Sequence, residues 1–138
     1  MNGMRKALLV TAVTVCALTG GTVGPAAAVT DPLLPHPGPD GLVWVEEHTG
    51  DGGVASGGAW DKLPTILTVA CEGGGDVQVT MQSQGTEVAA FSVGCPAGTA
   101  GTGSVAMEAG IVRPGSFTIT VDASSQNVRW SLTVTQPE

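Results

Sequence analysis

Few groups in this 138-residue chain can do chemistry: two histidines, three cysteines, twelve carboxylates and three tryptophans, with no tyrosine. A serine nucleophile needs a base within hydrogen-bond reach, and here that base would have to be His36 or His48. No Gly-x-Ser-x-Gly elbow is present to expose such a serine. The adjacent pair Glu46 and Glu47 is the obvious candidate for acid–base work, but neighbours on an extended strand point to opposite faces, so the pair reads as a charged strand end. Two other carboxylates could meet in the fold, as glycoside hydrolysis requires. A chain of this size leaves little room for a deep cleft beside its own core.

Metal and cofactor chemistry finds no better footing. His48 has only His36 as a second imidazole, with no His-x-x-x-His or clustered cysteine spacing. It reads as an exposed histidine at a strand end. The glycine-rich run from Thr49 to Gly58 lacks the alternating Asp and Asn ligands of a calcium loop, and it lacks the Lys-Ser/Thr pair of a phosphate loop. It reads as a flexible connector. The expectation is therefore a protein with no catalytic residues, no metal and no cofactor. A small secreted hydrolase is the least favoured alternative.

Two residue types remain informative. Cys71 and Cys95 fall at the ends of strand-like runs and predict one disulfide; a redox-active pair would more usually have Cys-x-x-Cys spacing. Trp44 and Trp60 lie outside the best-patterned strands, which makes them the candidate ligand-binding residues, because exposed indole rings stack on sugars. Trp130 shares its parity with core residues and is expected to be buried.

The elements that position these residues begin after a leader. Arg5 and Lys6 precede an apolar run from Ala7 to Val23, followed by Pro25 and Ala26-Ala27-Ala28, the pattern of a signal peptide over 1–28. The run is short, broken by Gly20-Gly21 and followed by a proline, which argues against a membrane anchor. Cys16 lies inside it, and the preceding Val15 departs from lipoprotein processing signals. Cleavage would leave Lys62, Arg113 and Arg129 against twelve carboxylates, a formal charge of −9. Such a surface argues against nucleic acid and anionic lipid as partners, since both need clustered cations. The expected location is secreted, free of the membrane after cleavage.

Residues 29–62 read as a Pro/Gly-rich arm, with four prolines between Pro32 and Pro39 and a candidate short strand at 42–47. The Pro-His-Pro around His36 could serve a polyproline-binding groove; a spacer is the preferred reading. Leu63-Pro64-Thr65 fails as a wall-sorting signal in sequence, position and sequel.

Residues 63–138 read as one β-sandwich domain. Leu67, Val69 and Cys71 share one parity, Val77, Val79 and Met81 another, and Phe91, Val93 and Cys95 a third, the period of half-buried strands. Strands are expected over Thr65–Cys71 and, as its neighbour, Val77–Gln82. The next hairpin needs an odd loop, Gln84-Gly85-Thr86, to keep Phe91 inward and set Val77 opposite Val93. Val105 and Met107 belong to a further strand that slips phase at Ala109-Gly110 and resumes at Ile111-Val112. Pro114-Gly115 predicts a type II turn. Phe117, Ile119 and Val121 would pair in a final hairpin with Leu132, Trp130 and Val128. The fold class is then all-β: a disulfide-stapled antiparallel sandwich, immunoglobulin-like or jelly-roll-like.

The leader, the Ala-Cys-Glu-Gly-Gly-Gly strand end, Gly-Cys-Pro and the terminal Val-Arg-Trp-Ser-Leu-Thr-Val together resemble small exported proteins of high-GC actinobacteria, over most of residues 63–136. The resemblance implies location and fold, and no catalytic residues. The function expected is a protein-binding or envelope-associated module, its partner an extracellular protein or a glycan. Protein recognition would use loops 72–76 and 96–103 or a free sheet edge; carbohydrate binding would use Trp44 and Trp60.

Overall fold

The computed structural model describes residues 33–138, so the expected signal peptide over 1–28 lies outside the described residues. Eight strands follow: β1 (Gly41–Thr49), β2 (Gly52–Ala59), β3 (Thr65–Glu72), β4 (Asp76–Ser83), β5 (Thr86–Gly94), β6 (Gly101–Met107), β7 (Gly115–Ala123) and β8 (Arg129–Thr135). There is no helix among the described residues. The strands form two antiparallel sheets, ordered β1-β8-β3-β6 and β2-β7-β4-β5.

The pairings explain that order. β1 pairs β8, β2 pairs β7, β3 pairs β6 and β4 pairs β5, as if the whole chain were one long hairpin with its tip between β4 and β5. Rolling that ribbon adds the contacts of β3 with β8 and β4 with β7. This is the jelly-roll solution of the two-sheet sandwich, and the immunoglobulin alternative is set aside.

Alternation builds the core. In β4 and β7 every second side chain is buried, with Val77, Val79, Met81, Phe117, Ile119 and Val121 inside and the intervening Gln, Thr and Asp side chains mostly outside. β8 is central in its sheet and is buried along both faces. Its outward Ser131 is satisfied by donating to the Val45 carbonyl at 2.7 Å. Trp130 is fully buried, and its indole N–H donates to the Gly50 carbonyl at 2.8 Å, so burying the ring strands no polar group.

The expected disulfide is present. Cys71 is the penultimate residue of β3 in one sheet and Cys95 follows β5 in the other, with Cα atoms 5.0 Å apart. Around it the Cys95 N–H donates to Gly75 O at 2.9 Å, and the Gly74 N–H donates to Cys95 O at 2.7 Å. The register of Val77 opposite Val93 is also as expected.

Several expectations are corrected. The final hairpin does not exist: β7 and β8 lie in different sheets. Their apolar residues point into one core either way, because parity is satisfied equally by strands side by side and strands facing each other. The same holds for β3 and β4, expected as neighbours and found in opposite sheets. The connector over 49–58 is largely strand β2, paired with β7 from Gly52↔Val121 to Ala59↔Gly115. Its glycines suit it to that edge, since a Cβ at Gly53 would stand 2.5 Å from the Ile119 carbonyl oxygen. With β1 and β2 each supplying a strand, what is left of the arm among the described residues is 33–40, and the candidate strand at 42–47 becomes the longer β1.

The β4–β5 turn is two residues, Gln84 (φ 53°) and Gly85 (φ 82°), with Ser83 opposite Thr86. Both positive φ values match the tight hairpin turn that follows strand twist. Phe91 nevertheless stays packed against the core, because a β-bulge at Val88 restores the parity: Gln82 pairs Glu87 and Met81 pairs Ala89. Ile111 and Val112 form a turn and not a strand, with Gly110 at φ 95° and the Ile111 N–H donating to Glu108 O. Gly115, expected in a turn, has the positive φ of 102° and opens β7.

Candidate binding end of the sandwich

The registers place one set of strand ends together. Ser83 lies opposite Phe117 and Thr86, and Ala59 opposite Gly115, so in one sheet the end of β2, the end of β4 and the starts of β5 and β7 coincide. In the other sheet Gly41 lies opposite Thr135, and Thr65 opposite Met107. Gln136 binds these two groups of ends to each other. Its side chain is buried; its amide oxygen accepts from the Trp60 N–H at 3.0 Å, and its NH2 donates to Trp60 O at 2.8 Å and to Thr65 Oγ1 at 3.0 Å.

Trp60 is thus gripped by its main chain while the residue as a whole stays 57% exposed. The ring borders an open cleft of about 320 Å³ shared with Lys62, Leu63 and Glu138. A lining that combines an indole and an aliphatic side chain with a cation and a carboxylate can stack a flat group and hydrogen-bond its edges.

A second cleft, about 450 Å³, opens at the same end between the β4–β5 turn and the 108–113 turn, and it includes Thr86, Glu87, Val88, Ile111 and Arg113. Ile111 is 47% exposed; Trp60 and Ile111 are the large hydrophobic side chains left exposed among the described residues. Ser83 is fully buried and its hydroxyl accepts from the Arg113 N–H at 2.8 Å, which pins the turn to the end of β4. The Gln84 side chain donates to Pro114 O at 3.0 Å, tying the hairpin tip to the same segment.

Charge is distributed unevenly over the two ends. Arg129, at the disulfide end, pairs with Glu47 and Glu72. Lys62 and Arg113 form no ion pair among the described residues, and each lines one of the two clefts.

Of the two tryptophans singled out by sequence, the fold brings neither to the other. Trp44 lies on β1 between core-facing Val43 and Val45, half-buried on the sheet's outer side. Residues 33–40 cover it: the indole N–H donates to Leu34 O at 3.1 Å, and the His36 ring stands edge-on at 4.9 Å. The Pro-His-Pro segment thus packs on the chain's own β1. His48 is exposed, its Nε2 within 2.9 Å of Asp51 O and its ring tilted over Trp130. No group of three His, Cys, Asp or Glu side chains among the described residues is placed to hold a metal ion. Loop 72–76 and the start of 96–103 surround the disulfide and hydrogen-bond each other, Gly73 N–H to Pro96 O at 2.9 Å.

Sequence reasoning did not single out Glu87, Ile111, Arg113 or Gln136. The available signal was Ile111, an aliphatic side chain placed where the alternation had just broken at Gly110. Gln136 carried none, because its role depends on an end-to-end meeting of distant strands.

Fold and site define an eight-stranded antiparallel jelly roll with two open clefts at one end. Comparison with known proteins returns no matching family model and no significant match among curated proteins.

Proposed function

We propose that the protein is an exported, non-catalytic recognition module that binds a protein partner in the cell envelope or its surroundings through the Trp60 end of the sandwich. The observation that carries this reading is that Trp60 and Ile111 both stand exposed at one end, each in a cleft lined by a cation that has no ion-pair partner among the described residues. Tryptophan dominates binding hot spots, and an anchor whose backbone is already fixed loses less entropy on association. Export is supported by the leader pattern and by the disulfide. Lack of catalysis is supported by the histidines: His36 packs on Trp44, His48 lies near Asp51 and Trp130, and neither is among the residues lining the clefts.

A glycan is the second reading, favoured by a cleft lined by Trp60 and Leu63 together with the polar Lys62 and Glu138. A pull-down with the folded protein against secreted proteins and envelope polysaccharides of the source separates the two. Capture of one protein that is lost in Trp60→Ala supports the main reading. Retention on a polysaccharide, lost in the same variant, supports the glycan. Binding of either kind that is insensitive to Trp60→Ala, or turnover of the bound material, overturns the proposal.

A further inference from the structure

We propose that the cleft between Glu87 and Arg113 is a second ligand site, built for a zwitterionic amino-acid or peptide group that carries an aliphatic side chain. Opposite charges that line one cleft would ordinarily close on each other, as Arg129 does with Glu47 and Glu72. Arg113 and Glu87, which line one cleft, form no such pair with each other: the ion pairs among the described residues are those of Arg129. The main chain holds their anchor points. The Arg113 N–H is fixed to the buried Ser83 hydroxyl and follows the buried Val112, while Glu87 is fixed in the ladder opposite Gln82, two residues past a tight turn. Val88, the extra residue of the bulge, and the exposed Ile111 line the same cleft as the two charges.

The volume of about 450 Å³ lies within the range of small-ligand sites. The chemistry selects among occupants. A neutral sugar would leave both charges unanswered, and a polyanion would meet Glu87 in a chain whose formal charge is −7. A ligand with both charges meets neither objection. Its carboxylate takes the guanidinium fork of Arg113, its ammonium faces Glu87, and its side chain covers Val88 and Ile111. The charges could be the α-groups of a free amino acid or the side chains of Lys and Glu flanking a leucine.

Amide chemical-shift titration of the folded protein tests this with three probes: free leucine, N-acetyl-Lys-Leu-Glu-amide, and uncharged N-acetyl-leucine-amide. The expected result is saturable shifts at 86–88 and 110–113 with one of the charged probes. Leucine responding identifies α-groups, and the tripeptide responding identifies side chains. Arg113→Gln and Glu87→Gln should each weaken binding about tenfold or more, with Thr118→Ala on the exposed sheet face unchanged. No saturation by either charged probe up to about 10 mM overturns the site, as does equal binding of the uncharged probe or indifference to both charge variants. Partner capture through Trp60 is read in a separate experiment on a separate cleft, so either proposal can fail alone.

Discussion

Gln136 holds Trp60 by both of its main-chain polar groups: the Trp60 N–H donates to the Gln136 amide oxygen at 3.0 Å, and the Trp60 carbonyl accepts from the Gln136 NH2 at 2.8 Å. One buried amide side chain thereby imitates a strand partner for a residue that has left its sheet. The exposed indole stands on a rigid base, which is the arrangement a preorganised contact needs.

Replacing Gln136 by Leu fills similar volume but leaves both Trp60 groups and the Thr65 hydroxyl without that partner. Unmade bonds to buried groups cost about 1–3 kcal/mol, so a loss of stability of that order is expected, read as a lower denaturant midpoint and a lower Tm. Trp60 should also become more mobile, seen as lower fluorescence anisotropy in a Trp44→Phe, Trp130→Phe background. An unchanged anisotropy would mean that the loop is held by something else.

The tryptophans should divide sharply in stability. Trp130 is fully buried, and Trp130→Ala is expected to destabilise by about 3–5 kcal/mol, the usual range for large core truncations. Trp60→Ala removes an exposed ring and should stay within about 0.5 kcal/mol. Denaturant melts of the two variants decide this; equal losses would contradict the division of core from site.

How far the fold was legible follows from what parity can and cannot encode. Val77, Val79, Phe117, Ile119, Trp130 and Leu132 were assigned to the core from alternation, and all are buried. Alternation says which face of a strand is apolar and nothing about which strand lies beside it. The β7 and β8 patterns suit a hairpin and a pair of strands in opposite sheets alike, and the sheet orders show the latter. Only the β4–β5 pair joins consecutive strands within a sheet, and there the bulge at Val88 hid a two-residue turn behind what looked like a three-residue loop. β2 escaped notice because Gly52, Gly53, Gly57 and Gly58 leave Val54 as its one large apolar side chain. Trp60 was legible as an exposed ring. The cleft at Arg113 was not, since it is assembled from a hairpin tip and a turn about 25 residues apart.

The disulfide joins the end of β3 to the residue after β5, and so joins the two sheets across a sequence separation of 24. A loop of that size corresponds to about 3–4 kcal/mol in the chain-entropy model. The Cys71→Ala, Cys95→Ala double variant should lose about that much stability by denaturant melt. Intact mass of protein recovered from the medium should rise by two hydrogens on reduction and correspond to a chain beginning at Val29. Two alkylatable thiols before reduction would remove the staple, and a full-length mass would remove the cleaved leader.

Trp44 offers the sharpest test of the N-terminal segment. Its ring is half-buried because residues 33–40 fold over it, through one hydrogen bond to Leu34 O and one edge contact from His36. Each contact contributes about 0.5–1.5 kcal/mol where it is well formed. The sandwich itself begins at Gly41, whose N–H donates to Gly38 O at 3.0 Å, and the Asp40 carbonyl accepts from the Gln136 N–H at 2.9 Å. A chain starting at Gly38 keeps these closing bonds and loses the cover. It should therefore fold with a stability lower by about 1–3 kcal/mol, the sum of two such contacts. Acrylamide quenching, read in a Trp60→Phe background so that the exposed Trp60 does not contribute and the buried Trp130 is out of the quencher's reach, should rise as Trp44 becomes exposed. Quenching that did not change on removing the segment would show that Trp44 is shielded by the sheet alone, and that the Pro-His-Pro stretch is a spacer after all.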